Sequence, residues 1–364
     1  MPRAAFPLPP HPLPSSHSPA LPMAPANHVS AVIFDVDGTL LDTDRVTRDT
    51  LNEFLATYGK APDPEKEEKR QGQMYRDSAT GIISDYELPL TLEEYTEAMH
   101  PLKIKRWQTA KPLPRVTRLV KHLHKNGVPL ALASNSTRRN VGHKLSSTKG
   151  FLEAAKRLGA NPSSSLVIED SLVGVQAAKA SGAKVVAVPS LQNQRQQYSV
   201  ADVLLYSLLD FQPELWGLPP FEDRIQSALP IEPLFLSARM GDAILNNLHT
   251  VVSDDCTYEF IPAQISGIFF GWAKFEVHGF SKVVVSTGWD FLQQNPERVM
   301  QIDFLDAPGS IKTDPVKLLV IGYIRKLETE DNILEALRIT DEDRSVARNA
   351  LDLPVFSEHA NGLF

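Results

Sequence analysis

Four short apolar segments divide the first half of the chain, at residues 32–34, 128–133, 165–168 and 184–188. Continuous apolar runs of this length are typical of strands that are buried on both faces of a parallel sheet. Residues 116–125 and 174–181 lie between these segments and have the spacing of helices, with residues 116–125 amphipathic. The alternation of strands and helices therefore predicts an α/β fold with a doubly wound parallel sheet.

The segment that follows the first strand has a different texture. Residues 45–110 repeatedly place apolar side chains three or four positions apart. This spacing indicates helices, each with one buried face. The pattern predicts a helical subdomain that is inserted directly after the first strand and packs on the sheet.

The second half of the chain has a different hydrophobic pattern. Aromatic and β-branched runs separated by turns occupy residues 268–277, 281–287, 299–304 and 316–325. This pattern predicts a small all-β antiparallel barrel or sandwich. A helix is expected at residues 333–351, and the turn-rich residues 213–229 are expected to form a linker between two domains.

Composition narrows the class of protein. With 364 residues the chain is long enough for two domains that each bury a core, and 42% hydrophobic with 22% charged residues is typical of a globular protein in water. No apolar run approaches the length of a membrane span. The formal net charge of -7 argues against nucleic acid as a partner. The single cysteine, Cys256, fits a reducing compartment, so a cytoplasmic location is expected.

The N-terminal segment differs from everything after it. Residues 1–29 are rich in Pro, Ser and Ala and contain no acid, and Arg3 is the only Lys or Arg among them. Such a composition cannot bury enough apolar surface to offset the entropy of ordering, so disorder is predicted. A plastid transit peptide is the alternative interpretation, although the basic residues that such peptides favour are scarce here.

The main chemical signal is a pair of acids at the end of the first predicted strand. Asp35 and Asp37 are two positions apart and therefore lie on the same side of the strand direction, and Gly38 permits a tight turn after them. In an open α/β sheet, ligands bind at the carboxyl ends of the strands. Two acids this close repel each other unless a cation neutralises them, and Mg²⁺ prefers oxygen ligands. The spacing predicts a Mg²⁺ site.

Residues 35–43 resemble the first motif of the haloacid dehalogenase-like phosphatases. The resemblance implies that Asp35 is the nucleophile that attacks phosphorus and that Asp37 is the general acid and base. It also implies that Thr39 contributes to phosphate binding. The helical insert, about residues 45–110, corresponds to the cap that closes over the site in this family.

Two further strand ends resemble later motifs of the same family. Ser134 and Asn135 follow the second strand, and the resemblance implies that they bind the phosphoryl oxygens. Glu169 and Asp170 follow the third strand. They are implied to complete the Mg²⁺ shell that Asp35 and Asp37 begin.

One expected feature of the family is missing. Between its second and fourth motifs the family has a further strand and a lysine-containing segment, whereas here the residues around position 150 run from one predicted helix directly into the next. Lys149, and less favourably Lys144, are the nearby ammonium groups that could bind phosphate in its place. A true deletion and an error in the gene sequence both account for this gap.

Residues 266–273, 286–289 and 320–325 resemble the riboflavin kinase barrel. A phosphatase domain followed by this barrel resembles the plant-type bifunctional FMN hydrolase/riboflavin kinases. The domains implied are a phosphatase domain at residues 30–212 and a riboflavin kinase-like domain at residues 230–364.

The second domain departs from its family where the kinase chemistry takes place. Residues 238–250 keep one glycine in place of the Gly-rich loop that holds ATP. Gln301 stands where the family has the glutamate base, and an amide cannot accept the proton of the riboflavin hydroxyl. The domain is therefore expected to be degenerate as a kinase.

The expected function is Mg²⁺-dependent hydrolysis of a small-molecule phosphate ester, with FMN implied by resemblance alone. Two alternatives remain open. The first is riboflavin kinase activity in the second domain, with riboflavin and ATP as its ligands. The second is a catalytically impaired protein that binds flavin or a partner.

Overall fold

A computed structural model of the chain describes residues 28–70, 73, 75–113, 115–134, 162–189, 192–238, 244–245, 248–252, 265–275, 279–290, 297–306, 316–328 and 332–361. Of residues 1–29, which are predicted to be disordered, 1–27 lie outside this part of the chain, whereas Val29 is buried and its amide donates to the carbonyl of Trp216, so the prediction is wrong at that end. Of residues 238–250, where the nucleotide loop is predicted to be degenerate, 239–243 and 246–247 lie outside it. So does the segment around position 150. No helix among the described residues is long and apolar enough to cross a membrane.

The first half forms a parallel sheet with the order β2-β1-β3-β4-β5. Its strands are β1 (Ala31–Phe34), β2 (Leu130–Leu132), β3 (Ser165–Glu169), β4 (Lys184–Ala187) and β5 (Val203–Leu204). β1 lies centrally, with Val32 opposite Leu130 on one side and Leu166 on the other. This confirms the predicted doubly wound sheet, and it places the acids after β1 and β3 on adjacent strands.

Helices cover the sheet and fill the predicted insert. Those of the insert are α1 (Thr43–Ala56), α2 (Pro64–Arg70), α3 (Tyr75–Asp85) and α4 (Leu92–Trp107). They have a core of their own, in which the ring of Phe54 packs edge-on against Tyr95 at 5.3 Å between centroids. In the sheet domain, α5 (Val116–Lys125) precedes β2 and α6 (Leu172–Ala180) follows β3. The described residues of this half also form short 3-10 helices at Pro162–Ser164, Gln192–Tyr198, Leu208–Asp210 and Pro213–Trp216.

The segment that enters the insert and the segment that leaves it lie side by side. The amide of Asp42 donates to the carbonyl of Lys111, and the amide of Leu113 donates to the carbonyl of Leu40. These hydrogen bonds tie the start of the insert to its end, immediately beyond the first motif. The insert is thus held over the carboxyl end of β1 by a paired connection.

The segment expected to be a linker packs against the first domain. Trp216 and Leu218 are buried in the core that contains Phe34, and the carbonyl of Trp216 accepts a hydrogen bond from the amide of Val29. At its end, Leu229 is buried among the side chains of the second sheet. Residues of this stretch therefore contribute to both hydrophobic cores.

The second half forms an antiparallel sheet with the order β6-β12-β9-β10-β11-β8-β7. Its strands are β6 (Leu229–Ala238), β7 (Ile244–Leu245), β8 (Leu248–Val252), β9 (Gly267–Phe275), β10 (Gly279–Asp290), β11 (Glu297–Phe304) and β12 (Val316–Arg325). Alternate residues of β9 belong to different cores: Phe269 packs inside the barrel-like curve, and Phe270 packs under the C-terminal helices. This confirms an all-β antiparallel domain covered by terminal helices.

The C-terminal helical region is broken where one helix was predicted. The structure has α7 (Ile333–Ala336), α8 (Asp341–Leu351) and α9 (Pro354–Ser357), followed by a 3-10 turn at Glu358–Asn361. The break occurs because Thr340 caps α8 in a capping box with Asp343. The prediction of a continuous helix at residues 333–351 was therefore wrong in its first part.

Candidate active site

Three buried carboxylates meet at the carboxyl ends of β1 and β3. Asp35 follows β1 directly, Glu169 is the last residue of β3 and Asp170 is the next. Each offers an oxygen that lies within 4.8 Å of the oxygens from the other two. The amide of Asp35 also donates to the carbonyl of Ile168, which fixes the two strand ends against each other. The parallel register of β1 and β3 thus brings together acids that are more than 130 positions apart.

The neighbouring acids of the site affect the pKa of Asp35. Its pKa is raised to about 8, first by burial and then by the neighbouring Glu169 and Asp37, while the amides of Val36 and Asp37 act in the opposite direction. Burial and two neighbouring acids thus raise this pKa. A negative charge on Asp35 is therefore costly unless a cation is bound nearby. An all-oxygen donor set of this kind fits a hard divalent cation such as Mg²⁺.

Asp37 stands apart from the three acids. Its side chain is half-buried, and its carboxylate is outside the trio of mutually close carboxylates. It is nevertheless near enough to raise the pKa of Asp35 by repulsion. The structure therefore separates the two acids of the first motif, with Asp35 inside the cluster and Asp37 beside it.

Asp170 is held from the first motif. The hydroxyl of Thr39, a residue expected to bind phosphate, donates to Oδ1 of Asp170 at 3.1 Å. Gly38 has a φ of +79°, and a Cβ atom at this position would lie 2.2 Å from Oδ2 of Asp170. Only glycine both adopts this backbone conformation readily and leaves room for the carboxylate.

Glu169 is held by the start of α6. The amide and the hydroxyl of Ser171 both donate to Oε1 of Glu169, at 2.9 and 2.7 Å. Ser171 is also the N-cap of α6, since its hydroxyl accepts from the amide of Gly174. A Cβ atom on Gly174 would lie 2.2 Å from the carboxyl carbon of Glu169. The helix can therefore begin where it does only because residue 174 has no side chain.

The sequence did not reveal all of these supports. Ser171 and Gly174 stand within five positions of Glu169, so local spacing could have indicated them. Thr39 was expected to face the substrate, whereas its hydroxyl contacts Asp170. Tyr198, whose hydroxyl donates to the backbone carbonyl of Asp170, carries no sequence signal that would connect it to the site.

The expected phosphate-binding residues are only partly described. Ser134 is half-buried and lies two residues beyond β2, where the amide of Ala133 donates to the carbonyl of Phe34. This pairing places Ser134 at the same edge of the sheet as Asp35. Asn135 and Lys149 lie outside the described residues.

In the second domain, Gln301 is a buried residue of β11. It lies opposite Ser286 of β10, and neither Oε1 of Gln301 nor the hydroxyl of Ser286 has a hydrogen-bond partner among the residues that the structure describes. The neighbouring acid Asp303 is buried and accepts from Nε of Arg344 at 2.6 Å. In the observed register Asp303 is therefore engaged in an ion pair and does not replace a base at position 301.

Comparison with known proteins covers both halves. A family model of haloacid dehalogenase-like hydrolases matches residues 29–182. A protein of Arabidopsis thaliana named bifunctional riboflavin kinase/FMN phosphatase is 37% identical over 359 residues, covering 90% of this chain and 95% of that protein. A second Arabidopsis protein, named (DL)-glycerol-3-phosphatase 2, is 31% identical over 236 residues, covering 57% of this chain and 98% of its own length.

Among solved structures, a haloacid dehalogenase family hydrolase from Deinococcus radiodurans, crystallised with bound phosphate and sodium, aligns with a TM-score of 0.45 and 22% identity. The alignment covers 54% of this chain and 100% of that chain.

Proposed function

Because the chain belongs to the family of bifunctional riboflavin kinase/FMN phosphatases, we propose that it hydrolyses FMN to riboflavin and phosphate in a Mg²⁺-dependent reaction. In this family a haloacid dehalogenase-like phosphatase domain is joined to a riboflavin kinase-like domain. The observation that carries the proposal is the buried cluster of Asp35, Glu169 and Asp170. FMN is proposed because the relative that spans both domains is named for it.

The cluster fits the metal that the proposal requires. Glu169 and Asp170 are fixed by Ser171 and Thr39, so their oxygens are already oriented toward Asp35. We infer that these three acids hold Mg²⁺, with the backbone carbonyl of Asp37 as a further oxygen ligand. When bound, Mg²⁺ screens the attacking carboxylate from the anionic phosphate and stabilises the charge of the transition state.

The reaction proceeds through a covalent intermediate on Asp35. A carboxylate oxygen of Asp35 forms a bond to phosphorus while the bond from phosphorus to the ribityl oxygen of FMN breaks, and Asp37 donates a proton to that oxygen. Water then attacks phosphorus, Asp37 takes up its proton, and the bond between Asp35 and phosphorus breaks. Riboflavin leaves after the first step and inorganic phosphate after the second.

Other residues bind the phosphoryl group. Ser134 and Asn135 are proposed to contact its oxygens, and Lys149 is proposed to supply the positive charge that the missing lysine segment supplies elsewhere in the family. The cap formed by α1 to α4 is proposed to close over the flavin and exclude water.

The second domain is proposed to have lost kinase chemistry. Gln301 replaces the base, and a positioned base typically contributes on the order of a hundredfold or more to the rate. Asp303 is engaged by Arg344, so no described acid at this point of β11 is available instead. The role that remains for the domain is to bind flavin or a partner without phosphorylating it.

The test is phosphate release from FMN by the full chain, with and without Mg²⁺, with glycerol 3-phosphate as the competing substrate. Asp35→Asn removes the nucleophile and should lower the rate by about a thousandfold or more. Asp306→Asn, an exposed acid in the second domain, is the matched control and should retain the wild-type rate. Release that is unaffected by Asp35→Asn contradicts the mechanism, and preference for glycerol 3-phosphate contradicts FMN as the substrate.

A further inference from the structure

Tyr198 ends the 3-10 helix Gln192–Tyr198 and lies outside every motif of the phosphatase domain. Its side chain is buried, with 3% of its surface exposed, and packs with Val175 of α6 and Val185 of β4. This packing places the phenol hydroxyl at the turn between β3 and α6. The position follows from tertiary structure, because Tyr198 is 28 residues beyond the acid that it reaches.

The hydroxyl makes a hydrogen bond at this turn. It donates to the backbone carbonyl of Asp170 at 2.8 Å. The next residue, Ser171, is the N-cap of α6 and donates to Glu169. A buried side chain from a later segment thus binds the backbone that connects the two acids to α6.

This hydrogen bond fixes the orientation of Asp170. The carboxylate of Asp170 is held by the hydroxyl of Thr39, but its backbone has left β3 and has not yet entered α6. Without the Tyr198 hydroxyl, the carbonyl of Asp170 would have to find another partner, because a buried backbone group without a hydrogen bond is costly. We expect the turn to rotate in that case and to move Glu169 and Asp170 with it.

We propose that Tyr198 is a positioning residue for the acidic cluster, acting on divalent-cation affinity through the turn at Asp170. This inference rests on the proposed function only in taking Asp35, Glu169 and Asp170 as the cation ligands. Residues that orient metal ligands typically change metal affinity by 10- to 100-fold when they are removed. Since Tyr198 acts through a backbone carbonyl and not on a carboxylate directly, we expect the lower end of that range.

The test compares Tyr198→Phe with the wild type. The full chain is titrated with Mn²⁺ in the absence of FMN, and electron paramagnetic resonance measures the free Mn²⁺. The variant keeps the ring and loses only the hydroxyl, and its Kd for Mn²⁺ should rise about tenfold. The Mg²⁺ concentration that half-activates phosphate release should rise by a similar factor, while kcat at saturating Mg²⁺ should stay near the wild-type value. Tyr95→Phe, which removes a buried tyrosine hydroxyl in the core of the cap, is the matched control and should bind Mn²⁺ as the wild type does.

The outcomes separate the two proposals. Equal Mn²⁺ affinity in Tyr198→Phe and wild type overturns the positioning role, and so does a loss of kcat that saturating Mg²⁺ does not restore. If Mn²⁺ binds more weakly to the variant and the wild-type protein does not hydrolyse FMN, the role of Tyr198 is supported and the proposed substrate is overturned. A wild-type protein that binds no Mn²⁺ overturns both.

Discussion

Tyr323 of β12 donates a 2.6 Å hydrogen bond from its hydroxyl to Oδ1 of Asp210. Asp210 ends the 3-10 helix Leu208–Asp210, whose first residue is buried in the core of the phosphatase domain, so this bond joins the two domains. Burial raises the pKa of Asp210 and the bond from Tyr323 opposes that rise. A second link runs from Nη1 of Arg115 to the carbonyl of Pro230 at 2.9 Å. The two domains are therefore joined by hydrogen bonds as well as by the polypeptide chain that connects them.

Removing the hydroxyl of Tyr323 should destabilise the chain. Tyr323→Phe leaves the carboxylate of Asp210 without this donor, and an unsatisfied buried polar group costs about 1–3 kcal/mol. Urea unfolding followed by fluorescence measures the change in free energy of unfolding. Tyr58→Phe, a partly exposed tyrosine of the cap, should change it by less than about 0.5 kcal/mol. If both variants unfold like the wild type, the bond between the domains contributes nothing to stability.

The ion pair of Asp343 should give the second domain an acid-dependent stability. Burial by itself raises the pKa of Asp343, but hydrogen bonds from Arg325 and Thr340 outweigh burial, and the pKa is lowered below its usual value of 3.8. An acid with a lowered pKa in the folded state contributes stability above its unfolded pKa and loses it as the pH falls through the folded value.

Asp343→Asn should therefore lower the free energy of unfolding by about 1–3 kcal/mol at pH 7, because it removes one charge of the bidentate pair with Arg325 and weakens the cap of α8. The difference from wild type should shrink as the pH falls below about 4. Asp352→Asn, which affects an exposed acid paired with Lys282, is the control. A difference for Asp343→Asn that stays constant from pH 7 to pH 3 would show that the lowered pKa is not its cause.

Gly174 should be required for the cation site. In Gly174→Ala the new Cβ would lie 2.2 Å from the carboxyl carbon of Glu169, so either that carboxylate or the first turn of α6 must move. We expect the Kd for Mn²⁺ to rise about tenfold or more, as for other losses of ligand orientation. Val173→Ala, at the half-exposed neighbouring position, should leave Mn²⁺ binding unchanged. Unaltered affinity in Gly174→Ala would show that Mn²⁺ binding does not require a glycine at the start of α6.

Restoring a carboxylate at position 301 should not restore a kinase. Gln301→Glu supplies the missing base, but residues 238–250 still lack the Gly-rich sequence for ATP. The variant should form no FMN from riboflavin and ATP, and it should be less stable than wild type because position 301 is only 5% exposed. ATP-dependent FMN formation by this variant would show that the nucleotide site survives.

The matched variant at this position is Gln301→Met. Oε1 of Gln301 has no hydrogen-bond partner in the described part of the chain, so a side chain of similar length without polar atoms should be neutral or stabilising. The free energy of unfolding of both variants at pH 7 separates the effect of buried charge from that of side-chain shape. A strongly destabilised Gln301→Met would indicate that the amide makes a contact that the structure does not contain.

The sequence by itself determined the parts that depend on neighbours along the chain. Apolar runs predicted the strands around Val32 and Val167, and helical spacing predicted the helix Val116–Lys125 with its bounds. Strand β6 was missed because it contains Pro230 and Pro233; β6 pairs only with β12 among the described strands, and an edge strand tolerates proline. These elements are local, so local pattern carried most of the information.

Tertiary structure decided how the site is held. Motif spacing placed Asp35 and Asp170 at strand ends, but only the pairing of β1 with β3 showed that their oxygens meet. The bond from Thr39 to Asp170 spans 131 positions, and that from Tyr198 comes from a segment without a motif. Such contacts depend on the order of strands in the sheet and on what packs beneath them, which no local pattern of apolar and polar residues encodes.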